Sequence, residues 1–230
     1  MDLGPEQIRH IVTVMVVLIA SIGLHEFGHA FVADRLGDDT PRRQGRVTLN
    51  PLAHADPIGT FALPLAALVL TGGRSTGFGW GRPVEVQGRN FTRRFHMSTS
   101  HAFVAAAGPL MNLLLGTVVA TLHVALIATD VLVEGDSIHQ GLVIAVILNY
   151  SLFIFNLLPA PPLDGGWILA RLVPTRYRRQ YEQYAVYAPF VVMAFIMIGP
   201  LSKVITIPAR FLFENVYHLL GLAFGVPLFP

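Results

Sequence analysis

An uncharged apolar run that leads directly into two histidines and a glutamate constrains this chain more than any other feature. Residues 11–24 read IVTVMVVLIASIGL, and His25-Glu26-Phe27-Gly28-His29 follows at once. Apolar residues continue after the motif, so its ionisable groups lie within a segment long enough to cross a bilayer. Ionisable side chains are costly inside such a segment and are functional candidates by default. We therefore expect a membrane-embedded site on the first helix.

The spacing within this motif is typical of a zinc site. Residues four apart lie on one face of a helix, so His25 and His29 can bind the same Zn²⁺ ion. Glu26 lies roughly 100° around the helix, near enough to act as a general base toward a water molecule. The chain contains no cysteine, so a metal ion here depends on His, Asp or Glu. Two histidines leave such a site one protein ligand short.

The composition indicates a polytopic membrane protein with a single domain. Of the 230 residues, 53% are hydrophobic and 13% are charged, whereas soluble domains average about 25% charged residues. The first apolar segment carries the motif and no basic region precedes it, so we do not expect a removable signal peptide. Arginines lie in short loops, which indicates membrane topology rather than nucleic-acid binding. We expect one domain over residues 1–230, with a catalytic core at about 8–172 and C-terminal helices at about 183–230.

The apolar segments predict an all-α membrane protein with about five to six transmembrane helices. The predicted helices cover residues 8–36, 101–129, 141–158, 185–207 and 209–229. Residues 58–72 are apolar but short and contain Pro64, which leaves open a re-entrant or tilted segment and a true crossing. Residues 78–86 alternate and carry aromatic side chains, which predicts a short strand or β-hairpin near the interface. The expected fold therefore has a re-entrant or β-hairpin element between the first two long helices.

A candidate third ligand follows the predicted helix at 141–158. The chain there reads NLLPAPPLDGG over residues 156–166, where three prolines break the helix and two glycines free the backbone next to Asp164. Non-helical backbone at membrane depth occurs where protein covers it or where it lines a wet cavity. A solvated loop aspartate needs no such rigid frame. We therefore favour Asp164 as a metal ligand over an exposed loop residue.

Three further polar residues have two interpretations each. His54 and Asp56 lie in a stretch rich in turn formers and can face the metal pocket as accessory groups, although such residues more often cap turns. Asn112 lies in the long helix at 101–129, which has no Asp, Glu, Lys or Arg. An amide in lipid needs a partner, so Asn112 is either an active-site hydrogen bonder or a contact between helices.

The loops predict the orientation of the chain in the membrane. Those at 35–57, 74–94 and 171–182 are basic, and the loop at 130–139 is acidic. Basic loops are enriched on the cytoplasmic side. If these three loops are cytoplasmic, the motif on the first helix and Asp164 lie on the same side, provided that 58–72 makes no net crossing. We expect an integral protein of the cell membrane with its site toward the cytoplasm.

The two motifs together resemble the site-2 protease family of intramembrane zinc metalloproteases. The resemblance rests on His25-Glu26-Phe27-Gly28-His29, on Asn156-Leu157-Leu158-Pro159 leading to Leu163-Asp164-Gly165, and on Ala107-Gly108-Pro109 with Asn112. The resemblance covers about residues 8–172. We expect neither a PDZ segment nor a C-terminal CBS domain, so the chain looks like a minimal member.

The resemblance implies one Zn²⁺ per chain, with His25, His29 and Asp164 as ligands and Glu26 as the catalytic base. It also implies that the loop around Asn156 holds an unwound substrate segment, which makes Asn156 and, less directly, Asn112 candidate substrate-binding residues.

The predicted function is hydrolysis of peptide bonds in transmembrane protein or peptide substrates, within or next to the bilayer. The alternative is a metal transporter or a non-catalytic metal-binding membrane protein. Transporters also need ligands in the membrane, but they do not need a glutamate beside a histidine pair. They often contain internal repeats, and none is visible in this sequence. A pseudoenzyme is less consistent with a chain that keeps His25, Glu26, His29 and Asp164. Substrate identity and oligomeric state are not encoded in any motif that we recognise.

Overall fold

A computed structural model describes residues 3–77, 79–132, 136–197 and 203–226, and the regular structure in these ranges is helical. Its α-helices are α1 (Pro5–Arg35), α2 (Thr40–Arg43), α3 (Leu63–Leu70), α4 (Met97–Ala128), α5 (Ser137–Asn156), α6 (Asp164–Leu172), α7 (Arg178–Met197) and α8 (Lys203–Phe224). Short 3₁₀ turns lie at Pro51–His54, Gly88–Asn90 and Thr175–Tyr177, and a π-helical turn at Pro57–Ala62 runs directly into α3. The all-α class predicted from the sequence is confirmed.

Three helices of the described chain, α1, α4 and α5, are long and apolar enough to cross a membrane. The outer face of α4 repeats an exposed apolar residue at four-residue spacing, at Leu110, Leu114, Val118 and Leu122. Each of these side chains is more than half exposed, as expected for a face that contacts lipid. Helices α7 and α8 overlap the last two predicted spans, but α7 ends at Met197 and α8 begins at Lys203. The boundary predicted between these spans, at residue 208, is wrong because Pro208 lies inside α8. The predicted spans at 185–207 and 209–229 extend into residues outside the described ranges.

The short apolar segment forms a helix that is too short to span the bilayer. Residues 57–70 rise about 21 Å at 1.5 Å per residue, compared with about 30 Å for the hydrocarbon core. Leu68 on this helix is buried against Ile11, Val14 and Met15 of α1. The segment therefore matches the short re-entrant or tilted element rather than a full crossing.

The strand or hairpin predicted at 78–86 is wrong for the part that the structure describes, since residues 79–87 carry no regular secondary structure. Phe78 lies outside the described ranges. The Trp80 N–H donates to the Gly59 carbonyl (3.2 Å) and the Arg82 N–H donates to the His54 carbonyl (2.8 Å). These are isolated bonds, and Pro83 cannot donate, so a ladder does not form. The alternating apolar and polar side chains in this sequence lie on two sides of an irregular segment instead of on two faces of a strand.

The C-terminal end of this irregular segment is fixed by a buried carboxylate just beyond α1. Asp38 is fully buried and accepts hydrogen bonds from the N–H and hydroxyl of Thr40, from the Asn90 amide and from the Gln87 N–H (2.6–3.1 Å). Burial alone would raise the pKa of the Asp38 carboxyl. Together, these hydrogen bonds lower the pKa by more than burial raises it, so it lies below its usual value. Asp38 thus ties the 87–90 turn to the end of the first helix.

A polar network joins the three spanning helices at their centre. Asn112 of α4 and Asn149 of α5 are fully buried, and Ser21 of α1 is nearly so. The Asn112 amide donates to Asn149 Oδ1 (3.1 Å) and to the Ser21 carbonyl (3.2 Å), and the Asn149 amide donates to Ser21 Oγ (2.9 Å). Unsatisfied amides are costly in hydrocarbon, so this network favours one arrangement of the helices.

Candidate metal centre

The structure brings His25, His29 and Asp164 together although the two histidines and the aspartate are far apart in the sequence. The two Nε2 atoms lie 3.1 Å apart. Asp164 Oδ2 lies 3.1 Å from His25 Nε2, and Asp164 Oδ1 lies 3.3 Å from His29 Nε2. His25 and His29 lie one turn apart on α1, and Asp164 is the first residue of α6.

The α4 backbone can reach this cluster because small residues line its contact with α1. A Cβ on Gly28 would lie 2.8 Å from the Ala107 carbonyl oxygen, so a larger residue there would separate the helices. A Cβ on Gly108 would lie 2.3 Å from His29 Nε2 and 2.6 Å from His25 Nε2. Glycine at 108 therefore leaves open the space on which the two imidazoles converge.

Asp164 is positioned by the loop that precedes α6. A Cβ on Gly165 would lie 2.2 Å from the Leu157 carbonyl oxygen, so the loop packs directly against the start of the helix. Two hydroxyl groups of α7 hold the same region: Tyr184 donates to the Pro159 carbonyl (2.9 Å) and Tyr181 donates to the Gly166 carbonyl (2.6 Å). Loop and helix start are thus packed as one unit around the carboxylate.

Both imidazoles are oriented by oxygen acceptors behind them. His25 Nδ1–H donates to Asn112 Oδ1 (2.6 Å), and His29 Nδ1–H donates to the Val104 carbonyl (2.7 Å). An imidazole whose Nδ1 carries the proton has a free lone pair on Nε2. Hydrogen bonds of this kind set the tautomer of histidines that ligate metals. Both free lone pairs therefore point into the space beside Asp164.

The residues present fit a zinc ion. Asp164 Oδ2 is buried and, within the described chain, accepts no hydrogen bond, because the neighbouring Nε2 atoms carry no proton in this arrangement. One ligand atom from each of the three residues lies within 4.8 Å of the others, and the described ranges contain no second group of three such residues. Two imidazole nitrogens and a carboxylate oxygen, with a position left open, form the typical ligand set of a catalytic zinc site.

Glu26 lies beside these residues in the wall of a cavity of about 670 Å³. The irregular 79–86 segment closes one side of the cavity, and its backbone is so near that a Cβ on Gly81 would lie 2.9 Å from Glu26 Cγ. Within the described residues, the Glu26 carboxylate accepts no hydrogen bond and makes no ion pair. Its carboxylate oxygens are therefore available for contact with a molecule in the cavity.

The two asparagines singled out in the sequence occupy different positions. Asn156 lines the cavity, where its amide donates to the Leu152 carbonyl (3.0 Å) and its side-chain oxygen accepts no bond from the described chain. Asn112 is fully buried behind His25, and its oxygen and both amide hydrogens already have protein partners. Asn156 thus has an unpaired side-chain acceptor at the cavity, whereas the hydrogen bonds of Asn112 orient His25.

His54 and Asp56 lie outside the cavity lining. Asp56 accepts hydrogen bonds from the N–H groups of Ile58 (3.0 Å) and Gly59 (2.6 Å) and so caps the helical segment at 57–70. His54 is fully buried, with its Nε2 3.0 Å from the Thr48 carbonyl oxygen. Their contacts in the structure are those of turn-stabilising residues.

Sequence reasoning missed several groups that support the histidines. The Val104 carbonyl could not have been identified, because every residue has one. Asn149 and Ser21 were visible as polar residues in apolar runs, and such residues need partners inside a membrane. Gly108 lay in a recognised stretch, but its contact with the imidazoles depends on how α1 and α4 cross.

Known proteins resemble this chain in sequence. The family model described as Peptidase family M50 matches residues 13–142 and 126–199. The chain is 38% identical over 197 residues to a Bacillus subtilis protein named "Putative zinc metalloprotease YwhC", covering 84% of each chain. It is 32% identical over 217 residues to a Mycolicibacterium smegmatis protein named "Putative zinc metalloprotease Rip2", covering 90% of this chain and 73% of that protein. No solved structure matches the chain.

The position of Gly108 generates a direct prediction about metal binding. Gly108→Ala places a methyl group between the two Nε2 atoms, so zinc affinity should fall by roughly tenfold or more, comparable with the loss of a supporting contact to a ligand. Zinc per chain, measured by elemental analysis across a chelator titration, tests this. Gly141→Ala on α5 is the matched control, because its added Cβ meets no atom closer than 3.6 Å. Equal zinc retention in the two variants would show that the metal lies elsewhere.

Proposed function

The chain belongs to peptidase family M50, and from that membership we propose that it hydrolyses peptide bonds of membrane-protein substrates within or next to the bilayer. The family is described as a peptidase family and the relatives are named as zinc metalloproteases, so this chain is a zinc metallopeptidase. The observation that carries the proposal is the position of Glu26 beside His25, His29 and Asp164, in a cavity between helices long enough to span a membrane.

Each residue of the cluster has a separate role in the proposed reaction. His25, His29 and Asp164 hold the zinc ion, which when bound supplies a Lewis acid that activates water and polarises a carbonyl group. Glu26 takes a proton from the attacking water through its carboxylate. As the carbon–nitrogen bond breaks, Glu26 returns that proton to the leaving nitrogen. Asn112 keeps Nδ1 of His25 protonated, so the other ring nitrogen stays available for the metal.

A transmembrane helix hides its carbonyl groups in internal hydrogen bonds, so a substrate has to unwind before cleavage. The irregular 79–86 segment and Asn156 offer replacement partners along the cavity. In the described chain, the N–H groups of Val84 and Val86 donate to no other residue. An unwound substrate can pair with this segment in the manner of an added strand.

The proposal extends to the placement of the protein in the membrane. Basic loops follow α1 and α6, which supports a cytoplasmic location for both and places the metal centre toward that side of the cell membrane. The helix at 57–70 is too short for a crossing, as this arrangement requires. If α7 and α8 also cross, they add two spans to the three helices that are long and apolar enough within the described residues.

Glu26 and Asp164 should respond differently to replacement by their amides. Glu26→Gln keeps the shape of the side chain but removes the base, so zinc should stay bound while hydrolysis falls by roughly 10²–10⁴-fold. Asp164→Asn removes the anionic oxygen from the ligand set, so zinc content and hydrolysis should fall together. Elemental analysis of each purified variant beside a cleavage assay separates the two outcomes. Full zinc content and normal turnover in Asp164→Asn would exclude Asp164 as a ligand.

The orientation can be tested because the natural chain has no cysteine. Single cysteines at the exposed positions Gln44, Ser137 and Arg178 are treated in intact cells with a thiol reagent that cannot cross the membrane. Only the cysteine at 137 should be labelled, and the other two should react after the cells are opened. Labelling at 44 and 178 with protection at 137 would reverse the proposed topology.

A further inference from the structure

A second cavity, of about 460 Å³, lies on the other side of the irregular segment from the metal centre. It is within the size range of ligand pockets. Three loops form its lining, which consists of Gln44, Gly45, Arg46, Ala53, Arg82, Pro83 and Glu85. Pro83 lines both cavities, whereas Val84 and Val86 line only the one that contains Glu26. The 79–86 segment therefore forms a wall between the proposed catalytic cavity and the second one.

The second cavity contains a buried guanidinium group that lacks an anionic partner. Arg46 is 6% exposed, and one of its terminal nitrogens donates to the Ala53 carbonyl. Within the described chain, this guanidinium has no other hydrogen-bond partner, and no carboxylate lies within 4.0 Å of it. Glu26 and Glu85 act on Arg46 only from a longer distance, so its remaining N–H groups stay available to an anion that enters the cavity.

A second guanidinium adds to the positive charge of this cavity. Arg82 lines it from the opposite loop, and the described residues give its side chain no ion pair or hydrogen bond. Burial and the charge of Arg82 lower the pKa of Arg46, and the charges of Glu26 and Glu85 offset only part of this shift. Glu85 also lies in the lining, but its carboxylate accepts a hydrogen bond from Gln44 (2.8 Å). Two guanidinium groups and one carboxylate leave a net positive charge.

Backbone hydrogen bonds fix the main chain at both arginines. The Arg46 N–H donates to the Pro41 carbonyl (2.8 Å), and the Arg82 N–H donates to the His54 carbonyl (2.8 Å). Guanidinium groups bind carboxylates with fixed, often bidentate geometry. The two guanidinium groups in the lining therefore offer such donors to a carboxylate in the cavity.

We propose that the Arg46–Arg82 cavity binds an acidic side chain of the polypeptide substrate, at a position that flanks the scissile bond. This inference rests on the proposed function. It is supported by the shared wall, because a peptide paired with residues 79–86 in the catalytic cavity leads past Pro83 to the second cavity. The substrates are then membrane segments followed or preceded by an Asp or Glu in the adjoining polar flank.

The test uses binding rather than turnover. Full-length Glu26→Gln protein in phosphatidylcholine nanodiscs is titrated with fluorescent peptides, each a hydrophobic segment with a polar flank that carries one Glu or one Gln at successive positions. At one or two neighbouring positions, the Glu peptide should bind roughly tenfold more tightly than its Gln partner, as a charge-assisted hydrogen bond provides. Equal binding of both peptide series at every position would overturn the proposal.

Substitution of Arg82 links any preference to this cavity. Arg82 is exposed and its side chain has no described partner, so Arg82→Gln should fold normally and lose the preference for Glu. Arg89→Gln is the matched control, since Arg89 is an exposed arginine on the same stretch that lines neither cavity. A preference that survives Arg82→Gln would contradict the assignment. The assignment would also be contradicted if Arg82→Gln changed only the binding of the protein to phosphatidylglycerol vesicles. That result would make the cavity a lipid site.

Cleavage of the same peptides by the wild-type protein is measured separately. A binding preference without hydrolysis of any peptide would count against the proposed peptidase reaction and still support the acidic-residue site. Hydrolysis without the preference would support the reaction and overturn the site.

Discussion

A buried carboxylate without a hydrogen-bond donor is costly, and the arrangement of this protein depends on such a group. Asp164 lies between two imidazole nitrogens whose lone pairs also point toward the shared space. The effective penalty for an uncompensated buried charge is several kcal/mol. A divalent cation would remove this penalty, because the three groups match the ligand set of a zinc site. We propose that it binds in the space that Gly108 leaves open beside the imidazoles.

Much of the remaining structure serves to keep the three groups in place. Asn112 links His25 to the polar network in the centre of the bundle, so the orientation of a ligand depends on the packing of three helices. On the opposite side, the tyrosines of α7 fix the loop that carries Asp164. Such outer contacts typically change metal affinity by 10–100-fold when they are removed. The proposed chemistry is thus supported from helices that contribute no ligand.

The residues of the candidate site could be predicted from the sequence more completely than the fold around them. A histidine pair at helical spacing, an adjacent glutamate and a rigid proline–glycine frame are local patterns, so His25, Glu26, His29 and Asp164 could be grouped before any contact was known. The 79–86 segment could not be predicted correctly, because a strand needs a partner that only the tertiary structure supplies. In place of the hydrogen-bond ladder of a strand pair, the segment makes two isolated backbone hydrogen bonds to residues 54–59. The interpretation of Asn112 stayed open for the same reason, since its partners are on α1 and α5.

We propose that residues from two distant parts of the chain form one zinc centre. X-ray absorption at the zinc edge, on purified Glu26→Gln protein in detergent, tests it most directly. The account predicts one zinc per chain with two imidazole nitrogens at about 2.0–2.1 Å and a shell of oxygen at about 2.0–2.2 Å. In Asp164→Asn protein reconstituted with zinc, the oxygen shell should change while the imidazole signal persists. An identical spectrum for both proteins, or a zinc ion without imidazole scattering, would contradict the account.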